Sequence, residues 1–289
     1  MKKPLFTGVC TALVTPFLGS EVNYPMLELL LRRQLDAGIR AIVVCGTTGE
    51  ASTLTDDEKL GIFRRAKNYV GSDCLIIAGT GSNNTAHALH LSMEAEKCGV
   101  DGLLLVSPYY NKANPEGLVR HYTAISQSVG IPMILYNVPS RTGLDIPVSV
   151  YAQLHELSNV AGIKEASSDI TKITKIRYSC KGMPIWSGND DQITPVISLG
   201  GTGVVSVLSN AAPLETRMLA EAALDGDFDT AAALQIQLQP LVEALFSDVN
   251  PIPIKAAMGI LGFDCGACRL PLGAMEQSKF DHLKNVFLR

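Results

Sequence analysis

The stretch Val160-Ala161-Gly162-Ile163-Lys164 decides the interpretation of the whole chain, because it is apolar almost throughout and then ends in a lysine. A strand buried on both faces of a parallel sheet has such a continuous apolar pattern, whereas a strand with one wet face alternates. Seven other runs share this pattern: Val9–Val14, Ala41–Cys45, Leu75–Ala78, Gly102–Val106, Met133–Tyr136, Ile185–Ser187 and Gly203–Val207.

The segments between these runs have helical patterning. Tyr24–Ala37 carries its leucines on one stripe, and Thr55 followed by Glu58 is the pattern of a capping box. Thr85–Cys98 ends at Gly99, which suits a helix C-terminus. Eight strand-then-helix repeats predict the α/β class and, within it, a (β/α)8 TIM barrel.

A doubly wound open sheet is the alternative α/β architecture. It usually carries a glycine-rich phosphate turn after the first strand, but here Thr15-Pro16-Phe17 follows instead. After Asn210 the strand pattern stops, and helical patterns follow at Pro213–Leu224, Phe228–Phe246, Pro253–Leu261 and Gln277–Phe287. We therefore predict a catalytic barrel over residues 1–212 and a C-terminal helical domain over 213–289, packed on the barrel.

Composition narrows the class of protein. The chain has 289 residues, of which 47% are hydrophobic, and its formal net charge is -4. It has no basic run and no apolar stretch near the roughly 20 residues of a membrane helix, so we expect neither a nucleic-acid nor a membrane partner. No apolar signal segment follows the first lysines. Scattered cysteines without a second C-x-x-C pair favour reduced thiols and a cytoplasmic location.

Polar motifs follow five of the predicted strands. They are Gly46–Glu50, Ser107–Asn111, Tyr136–Gly143, Gly162–Ala166 and Ser187–Asp191. Because active sites of parallel barrels lie at the carboxyl ends of the strands, we expect these motifs to form the site.

Lys164 is the most informative of these residues. Burial disfavours the charged form of an amine, and a neutral amine attacks a ketone to form an imine. The protonated imine is then an electron sink for an enamine at the next carbon. The alternative is a lysine that extends to solvent or pairs with Glu165.

The neighbouring motifs offer groups that such chemistry needs. Tyr136 is a candidate for moving protons, with Thr47 and Tyr110 as hydroxyl partners; the alternative for a lone tyrosine is packing. Thr47 and Thr48 suit a carboxylate held by N–H and O–H donors. Arg141 is a candidate clamp for a second carboxylate, with a surface salt bridge as its alternative.

The sequence lacks the motifs of nucleotide-binding loops and of metal sites. There is no Walker A loop and no H-E-x-x-H motif. His87 and His90 are three residues apart on a predicted helix without a third ligand, so a solvated face is expected. Asp190 and Asp191 lack a matched carboxylate, which favours loop hydrogen bonding over a metal site. We predict no metal and no cofactor.

Taken together, the motifs resemble the pyruvate-dependent aldolase family that contains dihydrodipicolinate synthase and N-acetylneuraminate lyase. Gly46–Glu50, Tyr136–Gly143 and Gly162–Ala166 are similar to the synthase branch, as is Asn250–Lys255. The resemblance covers nearly the whole chain. It implies a lyase that condenses pyruvate with L-aspartate-4-semialdehyde to 4-hydroxy-tetrahydrodipicolinate, in diaminopimelate and lysine biosynthesis.

The resemblance also implies roles for individual residues. Lys164 binds pyruvate as the imine, Thr48 holds its carboxylate with help from Thr47, and Tyr136, Thr47 and Tyr110 form the proton relay. The last tyrosine enters from the neighbouring subunit, so the resemblance implies a dimer as the minimal complete unit and a homotetramer, a dimer of dimers, as the assembly.

The remaining implied roles concern the second substrate and the pocket wall. Arg141 binds the carboxylate of the semialdehyde, and the backbone around Gly188 and Val205 lines the pocket.

Three alternatives remain at this point. A lyase for sugar acids, such as N-acetylneuraminate lyase, is the runner-up, although such enzymes do not usually carry the Ser-Arg-Thr-Gly at residues 140–143. A different acceptor aldehyde is the second, and a barrel that only binds ligands is the third. Regulation is a separate question: Asp56, Lys59 and His87 replace residues of the lysine-inhibited members, so we predict weak or absent inhibition by lysine.

Overall fold

The barrel predicted from the apolar runs is closed. The computed structural model describes residues 2–288, and within them eight parallel strands pair in sequence order, with the last strand against the first. The strands are β1 (Gly8–Ala12), β2 (Ala41–Val44), β3 (Leu75–Gly79), β4 (Gly102–Val106), β5 (Met133–Asn137), β6 (Val160–Glu165), β7 (Ile185–Ser187) and β8 (Gly203–Ser206). The predicted fold class is confirmed, and the doubly wound alternative is wrong.

Helices follow the strands as the patterning predicts. They are α1 (Tyr24–Asp36), α2 (Asp56–Val70), α3 (Thr85–Lys97), α4 (Pro115–Ser126), α5 (Pro139–Thr142), α6 (Val148–Leu154), α7 (Ile170–Ser179), α8 (Ile193–Ser198), α9 (Pro213–Leu224), α10 (Phe228–Leu245), α11 (Ile252–Ile260) and α12 (Gln277–Phe287). The capping box at α2 is confirmed, since Thr55 and Glu58 exchange both hydrogen bonds. Short helical turns at Asp190–Gln192 and Leu208–Asn210 and a hairpin between Phe17–Leu18 and Glu21–Val22 complete the chain.

The apolar core has two layers because each strand is buried on both faces. On β5, Leu135 packs toward the helices, while Ile134 and Tyr136 belong to the cluster inside the barrel. Phe6 stacks on Trp186 in that inner cluster, with ring centroids 4.7 Å apart. The interior is therefore filled with side chains, and polar residues reach it at the strand ends.

The helices after the last strand pack in chain order. α9 contacts β1 and α8, α10 packs on α9, and α11 and α12 contact α10. The division into 1–212 and 213–289 stays a prediction. No helix within residues 2–288 is long and apolar enough to cross a membrane.

Candidate active site

The register of β5 and β6 places the predicted tyrosine beside the predicted lysine. Tyr136 pairs with Lys164 across the two strands, and the Lys164 Nζ lies 4.1 Å from the centroid of the tyrosine ring. Only 6% of Lys164 and 5% of Tyr136 is exposed. Glu165 faces the helices and pairs elsewhere, so the alternative in which it neutralises Lys164 is wrong.

Gly188, at the end of β7, leaves the space that the lysine side chain occupies. A Cβ atom there would lie 3.2 Å from the Lys164 Cε and 2.6 Å from the Ala166 Cβ. Both distances are tighter than ordinary van der Waals contact. Val205 on β8 is buried in the same interior cluster as Tyr136. Gly188 therefore adjoins the lysine, and Val205 belongs to the inner layer around the tyrosine.

A cavity of about 510 Å³ opens at this end of the barrel. Its walls include Thr47, Tyr136 and Arg141, three of the residues predicted from sequence. Thr48 is buried, and its Oγ1 accepts a hydrogen bond of 3.0 Å from the Nδ2 of Asn250, which also lines the cavity. Hydroxyl groups and a guanidinium thus line one space. Lys164 is not among the lining residues; its Nζ lies behind the wall, against the ring of Tyr136.

Arg141 has no carboxylate within salt-bridge distance among residues 2–288. Its side chain is exposed, and its Nη2 donates to the Asn250 carbonyl at 3.2 Å. The surface salt bridge weighed as its alternative is therefore wrong. The guanidinium keeps further donors for an anionic ligand in the cavity.

Tyr110 is not brought to this cavity within one chain. It is 88% exposed and its backbone has a φ of 73°, in the left-handed region that costs a bulky side chain energy. Its N–H donates to the Thr142 carbonyl at 3.3 Å, which ties the tyrosine loop to the loop of Arg141. Of the three predicted relay residues, one chain brings Thr47 and Tyr136 together and leaves Tyr110 at the surface.

With this geometry established, comparison with known proteins identifies the family. The model of the dihydrodipicolinate synthetase family matches residues 5–287. The chain belongs to this family.

Curated and solved relatives agree with that assignment. A 4-hydroxy-tetrahydrodipicolinate synthase of Caldicellulosiruptor saccharolyticus is 47% identical over 99% of this chain and 97% of its own length. The dihydrodipicolinate synthase of Acinetobacter baumannii, solved in complex with pyruvate, superposes with a TM-score of 0.96 at 36% identity, covering 98% of both chains. The enzyme of Cyanidioschyzon merolae, solved with lysine bound, has a TM-score of 0.96 at 38% identity, covering 99% of this chain and 98% of that one.

Sequence reasoning missed the anchor of the Gly46–Glu50 loop. The Lys255 Nζ donates to the Glu50 Oε1 at 2.6 Å, and both side chains are almost fully buried. The Arg269 N–H donates to the Glu50 Oε2, and its guanidinium pairs with Glu58. The Lys255 Nζ and the Arg269 guanidinium each lie 4.2 Å from the centroid of the Phe17 ring. We call Phe17, Glu50, Glu58, Lys255 and Arg269 the Glu50 cluster; Glu50, Glu58 and Lys255 each lie in a sequence motif, but no motif predicted that they meet.

The part of the cavity wall formed by Asp56, Lys59 and His87 carries charges whose contacts the sequence did not predict. His87 lines the cavity with a side chain that is 37% exposed, and its Nε2 lies 2.9 Å from the Asp56 Oδ2. The expected solvated face therefore also carries an acidic partner, which the sequence did not predict. Burial alone raises the pKa of Asp56, but the hydrogen bond and charge of His87, and then Lys59, bring that pKa below its usual value. This carboxylate is thus already engaged by two bases.

Asp190 stabilises the turn after β7. Its Oδ2 accepts from the backbone N–H groups of Val207 and Leu208 at 3.0 and 2.9 Å. Asp190 therefore makes loop hydrogen bonds as expected, but they connect the turn after β7 to the turn after β8. Burial raises the pKa of this carboxyl. In the part of the chain described, residues 2–288, no group of three or more acidic, histidine or cysteine side chains is arranged to hold a metal ion.

Proposed function

We propose that the chain condenses pyruvate with L-aspartate-4-semialdehyde through a Schiff base on Lys164, giving 4-hydroxy-tetrahydrodipicolinate for diaminopimelate and lysine synthesis. The observation that carries this proposal is the buried Lys164 Nζ against the ring of Tyr136 at the carboxyl end of the barrel. The names of the relatives favour this reaction over cleavage of sugar acids.

The chemistry begins at the lysine nitrogen. The neutral amine adds to the keto carbon of pyruvate, and loss of one water gives the protonated imine. Removal of a methyl proton gives the enamine, whose carbon attacks the aldehyde of the second substrate. The amino group of that substrate then displaces the lysine at the imine carbon, which closes the ring and frees the enzyme. No cofactor is needed, because the imine itself takes up the electron pair.

The surrounding residues have separate tasks in this scheme. Tyr136 and Thr47 move the protons of the carbinolamine and the leaving water. The Thr48 hydroxyl accepts from Asn250, so its own hydrogen is free to bind the pyruvate carboxylate, beside Thr47. Arg141 binds the carboxylate of the semialdehyde.

Tyr110 completes the relay from the neighbouring subunit of a homotetramer built as a dimer of dimers. Two features of a single chain support this role. The side chain is exposed, and its backbone is held in the left-handed region, a strain of about 1–3 kcal/mol that surrounding contacts must offset. Gly188 and Val205 line the pocket and exclude water from the imine. We place the enzyme in the cytoplasm, with the rest of its pathway.

Borohydride trapping tests the proposal directly. Incubation with pyruvate and borohydride should add one reduced pyruvate to the peptide that contains Lys164, as read by mass spectrometry. Lys164→Arg should abolish both the adduct and turnover while the circular dichroism spectrum is unchanged, because arginine stays protonated. An adduct on another lysine, or none, contradicts the proposal. Turnover of other aldehydes in place of the semialdehyde would favour the alternative acceptors.

A further inference from the structure

Next to Tyr136 and Lys164 in the β5–β6 register lies a second pair of polar residues, which points to the opposite face of the sheet. Asn137 pairs with Glu165 directly after Tyr136 and Lys164 in the register of β5 and β6. Because successive side chains of a strand point to opposite faces, Asn137 and Glu165 face the helices, while Tyr136 and Lys164 face the barrel interior. Both residues of the outer pair are buried. Nothing in the proposed reaction uses them.

Hydrogen bonds extend the outer pair into a cluster with α6 and α7. The Asn137 Nδ2 donates to the Glu165 Oε1 and to the Asp145 Oδ1, each at 2.8 Å. Lys172 on α7 binds Asp145 and lies 3.8 Å from the Glu165 Oε2. Tyr151 on α6 donates its hydroxyl to the same Oε2 at 3.4 Å. We call Asn137, Asp145, Tyr151, Glu165 and Lys172 the Asn137 cluster.

The cluster anchors both ends of the loop that carries Arg141. At one end the loop continues directly from β5. At the other end, Asp145 binds Asn137 and Lys172, and the Ile146 N–H donates to the Asn137 Oδ1 at 3.0 Å. Both ends of the loop are therefore held at Asn137. Arg141 lies in the middle of it, with an exposed side chain.

The two carboxylates of the cluster, Asp145 and Glu165, differ in how firmly they are held. Two carboxylates share one ammonium, and Glu165 also accepts the Ser167 N–H at 2.9 Å. Burial raises the pKa of Glu165, and Lys172 opposes that rise. Asp145 is half exposed and depends on Asn137 and Lys172 for its position. Loss of the Asp145 carboxylate thus leaves this end of the loop held at Asn137 only by the Ile146 N–H, whereas Glu165 stays fixed by its remaining partners.

We propose that the Asn137 cluster is a positioning device for the second substrate: Asp145 and Lys172 hold the Arg141 loop at a fixed distance from the Lys164 strand. The inference rests on the proposed function, since it assigns the semialdehyde carboxylate to Arg141. Asp145 and Lys172 are positioning residues and touch no substrate. Their loss loosens the clamp on the semialdehyde and leaves the pyruvate half of the site in place.

Steady-state kinetics of Asp145→Ala and Lys172→Met, with each substrate varied in turn, tests this division. The KM for the semialdehyde should rise about 10-fold, because displacements near 1 Å cost up to about 10²-fold in a positioned site. The KM for pyruvate and the rate of borohydride trapping with pyruvate alone should change less than about 2-fold. Lys172→Arg, which keeps the charge, should restore most of the semialdehyde KM.

A matched control removes an ion pair of the same kind elsewhere. Lys67 binds Asp101 at 2.8 Å, is partly buried and lies far from the Arg141 loop in sequence, so Lys67→Met should change neither KM. Equal changes in both KM values, or an unchanged semialdehyde KM in correctly folded variants, would overturn the positioning role. If the wild-type chain forms no pyruvate adduct, the proposed function fails first and the inference falls with it.

Discussion

Two clusters of charged residues flank the candidate site, and they differ in what they connect. The Asn137 cluster joins neighbouring strands and the helices that follow them, with all its residues between 137 and 172. The Glu50 cluster joins the loop after β2 to residues more than 200 positions later, on α11 and beyond it. The lysine half of the site is thus held by the local barrel units, whereas the threonine half depends on the C-terminal helices.

The comparison teaches where stability and site geometry are coupled. The Lys255–Glu50 pair has almost no solvent contact, so each charge relies on the other to offset its desolvation. In the Asn137 cluster, hydrogen bonds from an amide, a hydroxyl and a backbone N–H share that task. Damage to the first cluster should therefore act on the whole fold, and damage to the second on the local site.

The largest expected effect comes from breaking the long-range pair. Lys255→Met leaves Glu50 buried without its cation, which should lower the free energy of unfolding by about 3–5 kcal/mol. Urea denaturation measures this loss. The control is Lys279→Met, whose partner Asp248 is near the surface, and its cost should stay below about 1 kcal/mol. Equal losses of unfolding free energy in the two variants would show that the buried pair contributes no more to stability than the surface pair.

A smaller effect should appear in the pH dependence of stability, with opposite signs in the two clusters. The Arg269 guanidinium lowers the pKa of Glu58 to about 2 from an ordinary value of 4.5. Its stabilisation is therefore present above pH 4.5 and is lost as the pH falls toward 2. Burial raises the pKa of Glu165, so its ionisation opposes folding as the pH rises above 4.5.

Glu58→Gln and Glu165→Gln separate these two contributions. Relative to the wild type, the cost of Glu58→Gln should shrink as the pH is lowered from 5 to 2. Glu165→Gln removes the group that titrates, so its cost relative to the wild type should shrink as the pH rises above 4.5, because the ionised glutamate is the less favourable form in the fold. Unfolding free energies measured across this range give both slopes, and slopes of the same sign would contradict the assignment.

The smallest expected effect concerns regulation at the wall near the Glu50 cluster. α2 carries Glu58 of that cluster and also Lys59, which lines the cavity with His87. A cationic effector meets Lys59 there, and the Asp56 carboxylate is already bound by His87. Free lysine should inhibit weakly or not at all, as measured by titration of the initial rate. Strong inhibition at sub-millimolar lysine would contradict this prediction.

The sequence predicted the parts of the molecule that depend on local patterns. Continuous apolar runs gave all eight strands, because burial on both faces leaves no alternation. The capping box marked the start of α2. The register of Tyr136 and Lys164 followed from two motifs on consecutive strands, which a parallel barrel places side by side.

The remaining features depend on contacts that no local pattern encodes. The hairpin at Phe17–Leu18 and Glu21–Val22 is too short to show a period of two. The Glu50–Lys255 pair joins positions 205 residues apart, and the position of His87 depends on how α2 and α3 pack. Asn137 and Glu165 belong to two predicted motifs, but the sequence did not predict their contact. Their outward direction follows from the register of the folded sheet.

The missing Cβ at Gly188 bears on attempts to retarget the enzyme. Even an alanine there would press on the methylene next to the reactive nitrogen, so directed evolution should recover glycine at this position in every active variant. Acceptance of bulkier aldehydes must then come from the part of the cavity wall that carries Arg141, whose side chain is exposed on the loop held by the Asn137 cluster. Libraries centred on residues 139–146 therefore offer a wider range of new substrates than libraries around the nucleophile.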